Sequence, residues 1–133
     1  MTDTVQPATG RKVRVWHDVC AVDQIVVDRG VAALVGAEPV AIFRLSGADG
    51  LPEEWYAVSH VDPFSGAAVM ARGLIGSVDA EPMSVPFVAS PLHKQRFDLR
   101  TGYCLDDERV RLKTYPVEIR DGRVYVASAF IEP

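Results

Sequence analysis

The sequence predicts an all-β domain, built as an antiparallel sandwich or barrel. Three observations support this fold class. Short apolar runs alternate with polar residues at the two-residue period of a strand, glycine, proline and aspartate separate these runs, and no long segment keeps the helical period of about 3.6 residues. Many short strands joined by tight turns are typical of antiparallel β-proteins.

The individual strands are predicted from this alternation. It is clearest in residues 13–16 and 117–120, and the latter are followed by Asp121, Gly122 and a second apolar-polar run. Asp-Gly favours a two-residue hairpin turn because both positions of that turn need positive φ. The sequence therefore predicts a hairpin of residues 117–120 and 123–126. Further strands are predicted for residues 24–27, 31–35, 40–45 and 55–58.

Residues 60–96 follow a different pattern, rich in proline and glycine. This stretch contains Pro63, Pro82, Pro86, Pro91, Gly66, Gly73 and Gly76. Proline cannot donate to a sheet ladder, which predicts loops or strand edges here. Apolar residues are too frequent for disorder, so an ordered insert is expected. We predict one domain over residues 11–133, with a smaller loop-rich subdomain at 60–107, and a disordered lead at 1–10.

The composition excludes several classes of protein. With 133 residues, 48% of them hydrophobic, the chain suits a single domain with an apolar core. Its net charge of −4 argues against a nucleic-acid partner or an anionic membrane surface, both of which bind basic faces. No apolar run approaches the roughly 18 residues needed to cross a bilayer, and residues 1–10 lack the cationic start and apolar centre of a secretion signal. Cys20 and Cys104 are too few for a disulfide scaffold, so we expect reduced thiols in a cytoplasmic protein.

Two segments combine histidine, serine and aspartate at short spacing. The first reads Ser-His-Val-Asp-Pro from residue 59, and the second reads Ser-Pro-Leu-His from residue 90. They resemble the two cluster-binding loops of Rieske proteins, C-x-H and C-x-x-H. On that resemblance His60 and Ser90 stand at the cysteine positions, and Asp62 and His93 stand at the histidine positions.

These replacements decide what the site can bind. A Rieske centre is held by two thiolates and two imidazoles, and only His93 keeps its group. A serine hydroxyl binds iron far more weakly than a thiolate because it resists deprotonation near neutral pH. Neither cysteine falls at a matching position, and the chain has no nucleophile elbow or dinucleotide-binding glycine pattern. We therefore expect no [2Fe–2S] cluster, no metal, no catalytic residue and no cofactor on this chain.

A longer pattern covers most of the chain, from about residue 16 to residue 126. It includes Asp62-Pro63-Phe64, Ser90-Pro91-Leu92 followed by Lys94-Gln95, and Cys104-Leu105-Asp106-Asp107. Together these segments resemble the small subunit of assimilatory NAD(P)H-dependent nitrite reductase. The resemblance implies a Rieske-like fold without the cluster, and a large-subunit partner that carries FAD, an iron–sulfur cluster and sirohaem. It further implies an accessory part in reducing nitrite to ammonium, with a nicotinamide as electron donor.

Other interpretations of the same residues remain open. His60, Asp62 and His93 would suffice for an open mononuclear site, since imidazole and carboxylate are ordinary ligands of zinc or iron. Alternatively, Asp62 caps its own turn while the histidines lie at the loop tips. For the whole protein, the alternatives are a Rieske-type ferredoxin or oxygenase electron-transfer component, and an independent metal- or ligand-binding barrel.

A partner surface is the final prediction from the sequence. In Rieske proteins the two loops meet at one tip, and the polar and cationic residues there would be His60, His93, Lys94 and Arg96. We expect these four residues to contact the large subunit. The alternative for Lys94 and Arg96 is a solvated surface pair, and residues 106–108 are expected to form an exposed acidic turn.

Overall fold

The computed structural model describes residues 12–47, 50–80 and 83–131. The disordered lead predicted for residues 1–10 lies outside these ranges. Within them, no helix is long and apolar enough to span a membrane.

The described residues form ten strands in three antiparallel sheets and two short 3-10 helices, Val22–Gln24 and Met70–Arg72. The strands are β1 (Lys12–Ala21), β2 (Arg29–Val35), β3 (Glu38–Leu45), β4 (Glu54–Ser59), β5 (Leu74–Val78), β6 (Val85–Ala89), β7 (Arg96–Asp98), β8 (Thr114–Tyr115), β9 (Val117–Arg120) and β10 (Arg123–Ile131). Two sheets, ordered β1-β10-β9 and β2-β3-β4-β8, make up what we call the base. The third, ordered β5-β6-β7, is the small sheet. The predicted all-β, antiparallel fold class is confirmed.

Strand β3 is buried on both faces and joins the two parts of the molecule. Val40 and Ile42 pack into the apolar cluster between the two base sheets. Ala41, Phe43 and Leu45 pack into a second cluster that reaches the small sheet through Val88, Phe97 and Leu99. Successive side chains of a strand point to opposite faces, so a continuous apolar run serves both clusters.

The hairpin predicted near the C-terminus is confirmed. Arg120 pairs with Arg123, which leaves Asp121 and Gly122 as the two-residue loop between β9 and β10. The φ angles are 49° at Asp121 and 74° at Gly122, as a primed turn requires.

The strand predicted for residues 24–27 is wrong. The 3-10 helix ends at Gln24, and the chain then turns through Asp28, whose φ is 62°, before β2 begins. Arg44 of β3 holds this connection in place because its guanidinium donates to the Ile25 carbonyl at 2.8 Å. Ile25 is fully buried in the base cluster, so this apolar residue packs in the core without belonging to a strand.

Residues 60–96 contain more regular structure than their proline and glycine content predicts. Pro86 lies inside β6, the central strand of the small sheet. It is tolerated because β7 pairs with β6 only from Phe87 onward, while the Pro86 carbonyl accepts the Leu99 amide at 3.0 Å. Gly76 lies against the Phe87 ring, where a Cβ would stand 2.6 Å from Cζ. The insert is therefore a small sheet with turns rather than mainly loop.

Candidate functional site

The two loops that contain the degenerate ligand positions meet at one end of the small sheet. The Ser90 hydroxyl donates a hydrogen bond to Oδ2 of Asp62 at 2.6 Å, across 28 positions of sequence. Both residues have 0% solvent exposure. This buried pair therefore joins the loops directly. We call the two loops, residues 60–66 and 90–96, the tip.

Three six-residue turns of the described chain, two at the tip and one at the other end of β7, share one hydrogen-bond pattern. They comprise residues 62–67, 90–95 and 98–103. In each, the amide of the first residue donates to the carbonyl of the sixth, at 2.9, 2.9 and 2.8 Å respectively, and the first carbonyl accepts the amide of the fifth, at 2.7, 3.0 and 2.7 Å. The first side chain accepts the amide of the third residue, at 2.8, 3.3 and 2.8 Å. The first residues are Asp62, Ser90 and Asp98, so the alternative in which Asp62 caps its own turn is confirmed.

The fifth position of each turn has a left-handed backbone. The φ angles are 77° at Gly66, 67° at Lys94 and 84° at Gly102. Glycine adopts this region without penalty, whereas a residue with a Cβ does not. The turn at 90–95 therefore places a lysine where both related turns use glycine.

The fourth position differs in the same turn. The hydroxyls of Ser65 and Thr101 accept the amides of Ala67 and Tyr103, each at 3.2 Å. The corresponding residue of the turn at 90–95 is His93, an exposed side chain without a hydroxyl. Two neighbouring positions thus separate this turn from its two relatives.

The Asp62 carboxylate is charged although it is buried. Burial by itself would raise its pKa, but hydrogen bonds from Ser90, the Phe64 amide and Ser65 together hold the pKa below its usual value. A buried carboxylate is stable when its lone pairs are satisfied in this way. The pair with Ser90 is therefore an internal contact and leaves Asp62 little capacity for an outside ligand.

The two histidines have different surroundings. His60 is half-buried, and its Nδ1 accepts the Ala71 amide at 3.1 Å, which assigns the ring proton to Nε2. Burial and the nearby Arg72 guanidinium lower the pKa of His60, so the ring is neutral near pH 7. His93 is exposed on the outer turn. The alternative that placed both histidines at the loop tips therefore holds for His93 alone.

Arg96 is engaged within the chain. Its amide and its guanidinium NH2 contact the Asp106 carboxylate, each at 2.8 Å, and its guanidinium lies 5.8 Å from the centre of the Phe87 ring. Lys94 is exposed, and no ion pair between described residues includes it. Sequence reasoning took Asp106 for part of a solvated turn and missed its pairing with Arg96, which no local pattern reveals across ten positions.

Two apolar side chains at the tip are exposed. Phe64 is 39% exposed and Leu92 is 49% exposed. Their amides bind the side chains of Asp62 and Ser90, so the buried pair holds both at the same tip. The outer surface of the tip is therefore apolar beside the cation of Lys94.

Comparison with known proteins identifies the family. Residues 15–127 match the family model described as a Rieske-like [2Fe-2S] domain. The nitrite reductase (NADH) small subunit of Escherichia coli K12 is 44% identical over 109 residues, which cover 82% of this chain and 94% of that protein. The NMR structure of the E. coli protein NirD has a TM-score of 0.72 and 40% identity, covering 87% of this chain and 98% of that one. This chain belongs to the nitrite reductase small-subunit family.

A relative of this small-subunit family also occurs inside a longer protein. The nitrite reductase [NAD(P)H] large subunit of Klebsiella oxytoca is 34% identical over 115 residues, which cover 86% of this chain but only 11% of that protein. In that relative, the domain and the remainder of a large subunit form one polypeptide.

The [2Fe-2S] cluster in the family description does not fit the residues of this chain. Where a Rieske protein turns a thiolate and an imidazole toward iron, Ser90 and Asp62 are bonded to each other. Nδ1 of His60 is occupied by a backbone amide, and the exposed His93 is the one remaining group of the right type. Among the described residues, no group of three His, Cys, Asp or Glu side chains is arranged to hold a metal ion. The ferredoxin alternative is disfavoured by the same donor set.

Proposed function

We propose that this chain is the small, non-catalytic subunit of a cytoplasmic NAD(P)H-dependent nitrite reductase. It binds a large subunit that carries FAD, an iron–sulfur cluster and sirohaem and reduces nitrite to ammonium. The observation that carries this proposal is the Klebsiella oxytoca large subunit, which contains a domain related to this chain. Covalent fusion keeps two units together permanently, which is expected where the separate forms must associate to function.

The contribution of the small subunit is then made by binding. The donor set at the degenerate ligand positions offers no thiolate, so electrons pass through groups on the large subunit. A bound domain without a redox group acts by ordering or orienting the surface that it covers. Stabilisation of the large subunit by its partner follows from mass action.

The tip is the surface that we assign to this contact. Of the four residues predicted from the sequence, His93 and Lys94 are exposed, Arg96 remains partly exposed beside Asp106, and His60 is turned inward. The neighbouring apolar side chains Phe64 and Leu92 would add desolvated contact area.

The tip alone is too small for a lasting interface. Stable contacts bury roughly 1,200–2,000 Å² in total. The small sheet offers further area beside the tip, since β5 is its edge strand and Leu74 on that strand is exposed. Met83, in the connection between β5 and β6 at the far end of these strands from the tip, is exposed as well. We propose that this side of the small sheet completes the interface.

Co-expression with the large subunit of the same organism tests the proposed function. The tagged small subunit should retain the large subunit through purification, and nitrite-dependent NAD(P)H oxidation should fall when the small subunit is omitted. Full activity without the small subunit, together with no co-purification, would remove the proposal.

Iron analysis separates this function from that of a ferredoxin. Protein expressed with excess iron and sulfide should contain far less than stoichiometric iron and should have a flat visible spectrum. Stoichiometric iron with an EPR signal in the reduced state would restore the ferredoxin alternative.

A further inference from the structure

The turn at residues 90–95 departs from two otherwise equivalent turns of the same molecule. The turns at 62–67 and 98–103 have a hydroxyl residue at the fourth position and glycine at the fifth, whereas this turn has His93 and Lys94. The backbone hydrogen bonds and the sign of φ are the same in all three. The related turns therefore act as internal references for what the turn itself requires.

The geometry of the turn does not call for a lysine. Gly66 satisfies the same hydrogen bonds with a φ of 77°, and a Cβ added there would meet no atom within 4 Å. The turn at 62–67 therefore has room for glycine or for a residue with a Cβ, and the two differ only in how readily they adopt the left-handed backbone. A residue with a Cβ is disfavoured in the left-handed region, so Lys94 makes its turn less stable than glycine would.

The side chain of Lys94 has no counterpart inside the described part of the chain. Its amide bonds to the Ser90 carbonyl at 3.0 Å, but no ion pair of the described residues uses its ammonium. Arg96, two residues on, shows the opposite arrangement because Asp106 binds its guanidinium. The chain thus neutralises one cation of the tip and presents the other to solvent.

We infer that Lys94 is a specificity-determining contact that binds a carboxylate of the large subunit, with His93 beside it. Non-glycine residues held at left-handed φ concentrate at sites where the strain serves a function. The lysine ammonium is a compact cation with three donors, which suits an acidic side chain. Leu92 and Phe64 are exposed apolar side chains of the same tip, and their burial against the partner would exclude water and strengthen the attraction. This inference rests on the proposed function and names the chemistry that the tip recognises.

Replacement by glycine tests the inference because it should raise the stability of the small subunit but lower its affinity for the large subunit. Lys94→Gly should raise the melting temperature of the isolated small subunit by about 3 °C, since it relieves the left-handed backbone. The same variant should weaken association with the purified large subunit by about three- to tenfold. Lys94→Arg should retain most of the affinity, and Lys94→Glu should weaken it more than glycine does.

Asp121→Gly is the matched control. It removes another side chain held at positive φ, but in the base hairpin rather than at the tip. This variant should leave association unchanged, so a loss confined to Lys94 variants cannot come from an added glycine. Added salt should weaken the wild-type complex modestly and the Lys94→Gly complex less.

The outcomes separate the inference from the proposed function. Lys94→Gly that binds as tightly as wild type would overturn the inference while leaving the proposed function in place. Wild-type protein that fails to bind the large subunit would overturn both. A more stable but weaker-binding Lys94→Gly, beside an unaffected Asp121→Gly, is the expected result.

Discussion

The base and the tip of this domain are stabilised by different forces. In the base, long strands enclose an apolar cluster that includes Val40, Ile42 and Val124. The three equivalent turns beside the small sheet bury polar side chains as well. The buried polar or charged residues of the described chain are Asp62, Ser90 and Asp98, and each begins one of the three equivalent turns.

This difference shows which groups order the tip. Apolar burial is nondirectional, so it stabilises the base without setting the angle of each loop. Hydrogen bonds are directional, and those of Asp62 and Ser90 specify both loops and the contact between them. Where a Rieske protein uses metal ligands to join two loops, this chain uses a hydroxyl and a carboxylate.

Removal of the Asp62 carboxylate should have the largest effect on the tip. Asp62→Ala leaves the Ser90 hydroxyl and the Phe64 amide without their acceptor, so we expect the free energy of unfolding to fall by about 2–4 kcal/mol in urea titrations. Asp107→Ala is the control, because Asp107 also accepts the amide two residues on but is not fully buried. A loss no larger for Asp62→Ala than for Asp107→Ala would show that the hydrogen bonds of the tip contribute little.

A backbone change in the base hairpin should have the next largest effect on stability. Gly122→Val forces a β-branched residue to a φ of 74° and should lower the free energy of unfolding by about 1–3 kcal/mol. Gly122→Asn tolerates positive φ and should lose much less. Equal melting temperatures for wild type and Gly122→Val would refute the predicted strain.

Strain of the same kind can be introduced at the tip. Gly66→Lys reproduces in the turn at 62–67 the residue that the turn at 90–95 already contains, at a φ of 77° and without steric contact. We expect it to lower the free energy of unfolding by about 1 kcal/mol, measured by urea titration. Gly102→Lys should cost more, since a Cβ there would stand 2.0 Å from the Leu112 carbonyl oxygen. If the two variants behaved alike, steric contact would be unimportant at these positions.

The smallest effect should be a pH dependence that originates at the tip. The pKa of Asp62 is lower in the folded protein than in the unfolded chain, so the folded state holds fewer protons on this group. The stability it contributes is complete above the unfolded pKa, near 4, and is lost as pH falls through the folded pKa. Melting temperatures between about pH 6 and pH 3 should fall less steeply for Asp62→Asn than for wild type. Parallel curves would exclude Asp62 as the titrating group.

Local chemistry made part of this protein predictable from sequence. The all-β class followed from period-two alternation, and the hairpin followed from Asp121-Gly122, because each signal acts between neighbours in the chain. The ligand positions were also readable, since losing a thiolate is a matter of residue type. The same local reasoning failed at residues 24–27, where Ile25 alone is fully buried and its carbonyl binds Arg44 instead of pairing in a strand.

By itself, then, the sequence determined the fold class, the family pattern and the absence of cysteines from the ligand positions. Only the tertiary structure decided that Ser90 would bind Asp62 and that Asp106 would bind Arg96, because these contacts join residues 28 and 10 positions apart. It also decided that Lys94 would lie in a turn whose two relatives use glycine, since an equivalent backbone can be recognised only from its hydrogen bonds and φ angles. Residue types limit the chemistry that is available, whereas chain geometry selects which groups meet and which remain exposed.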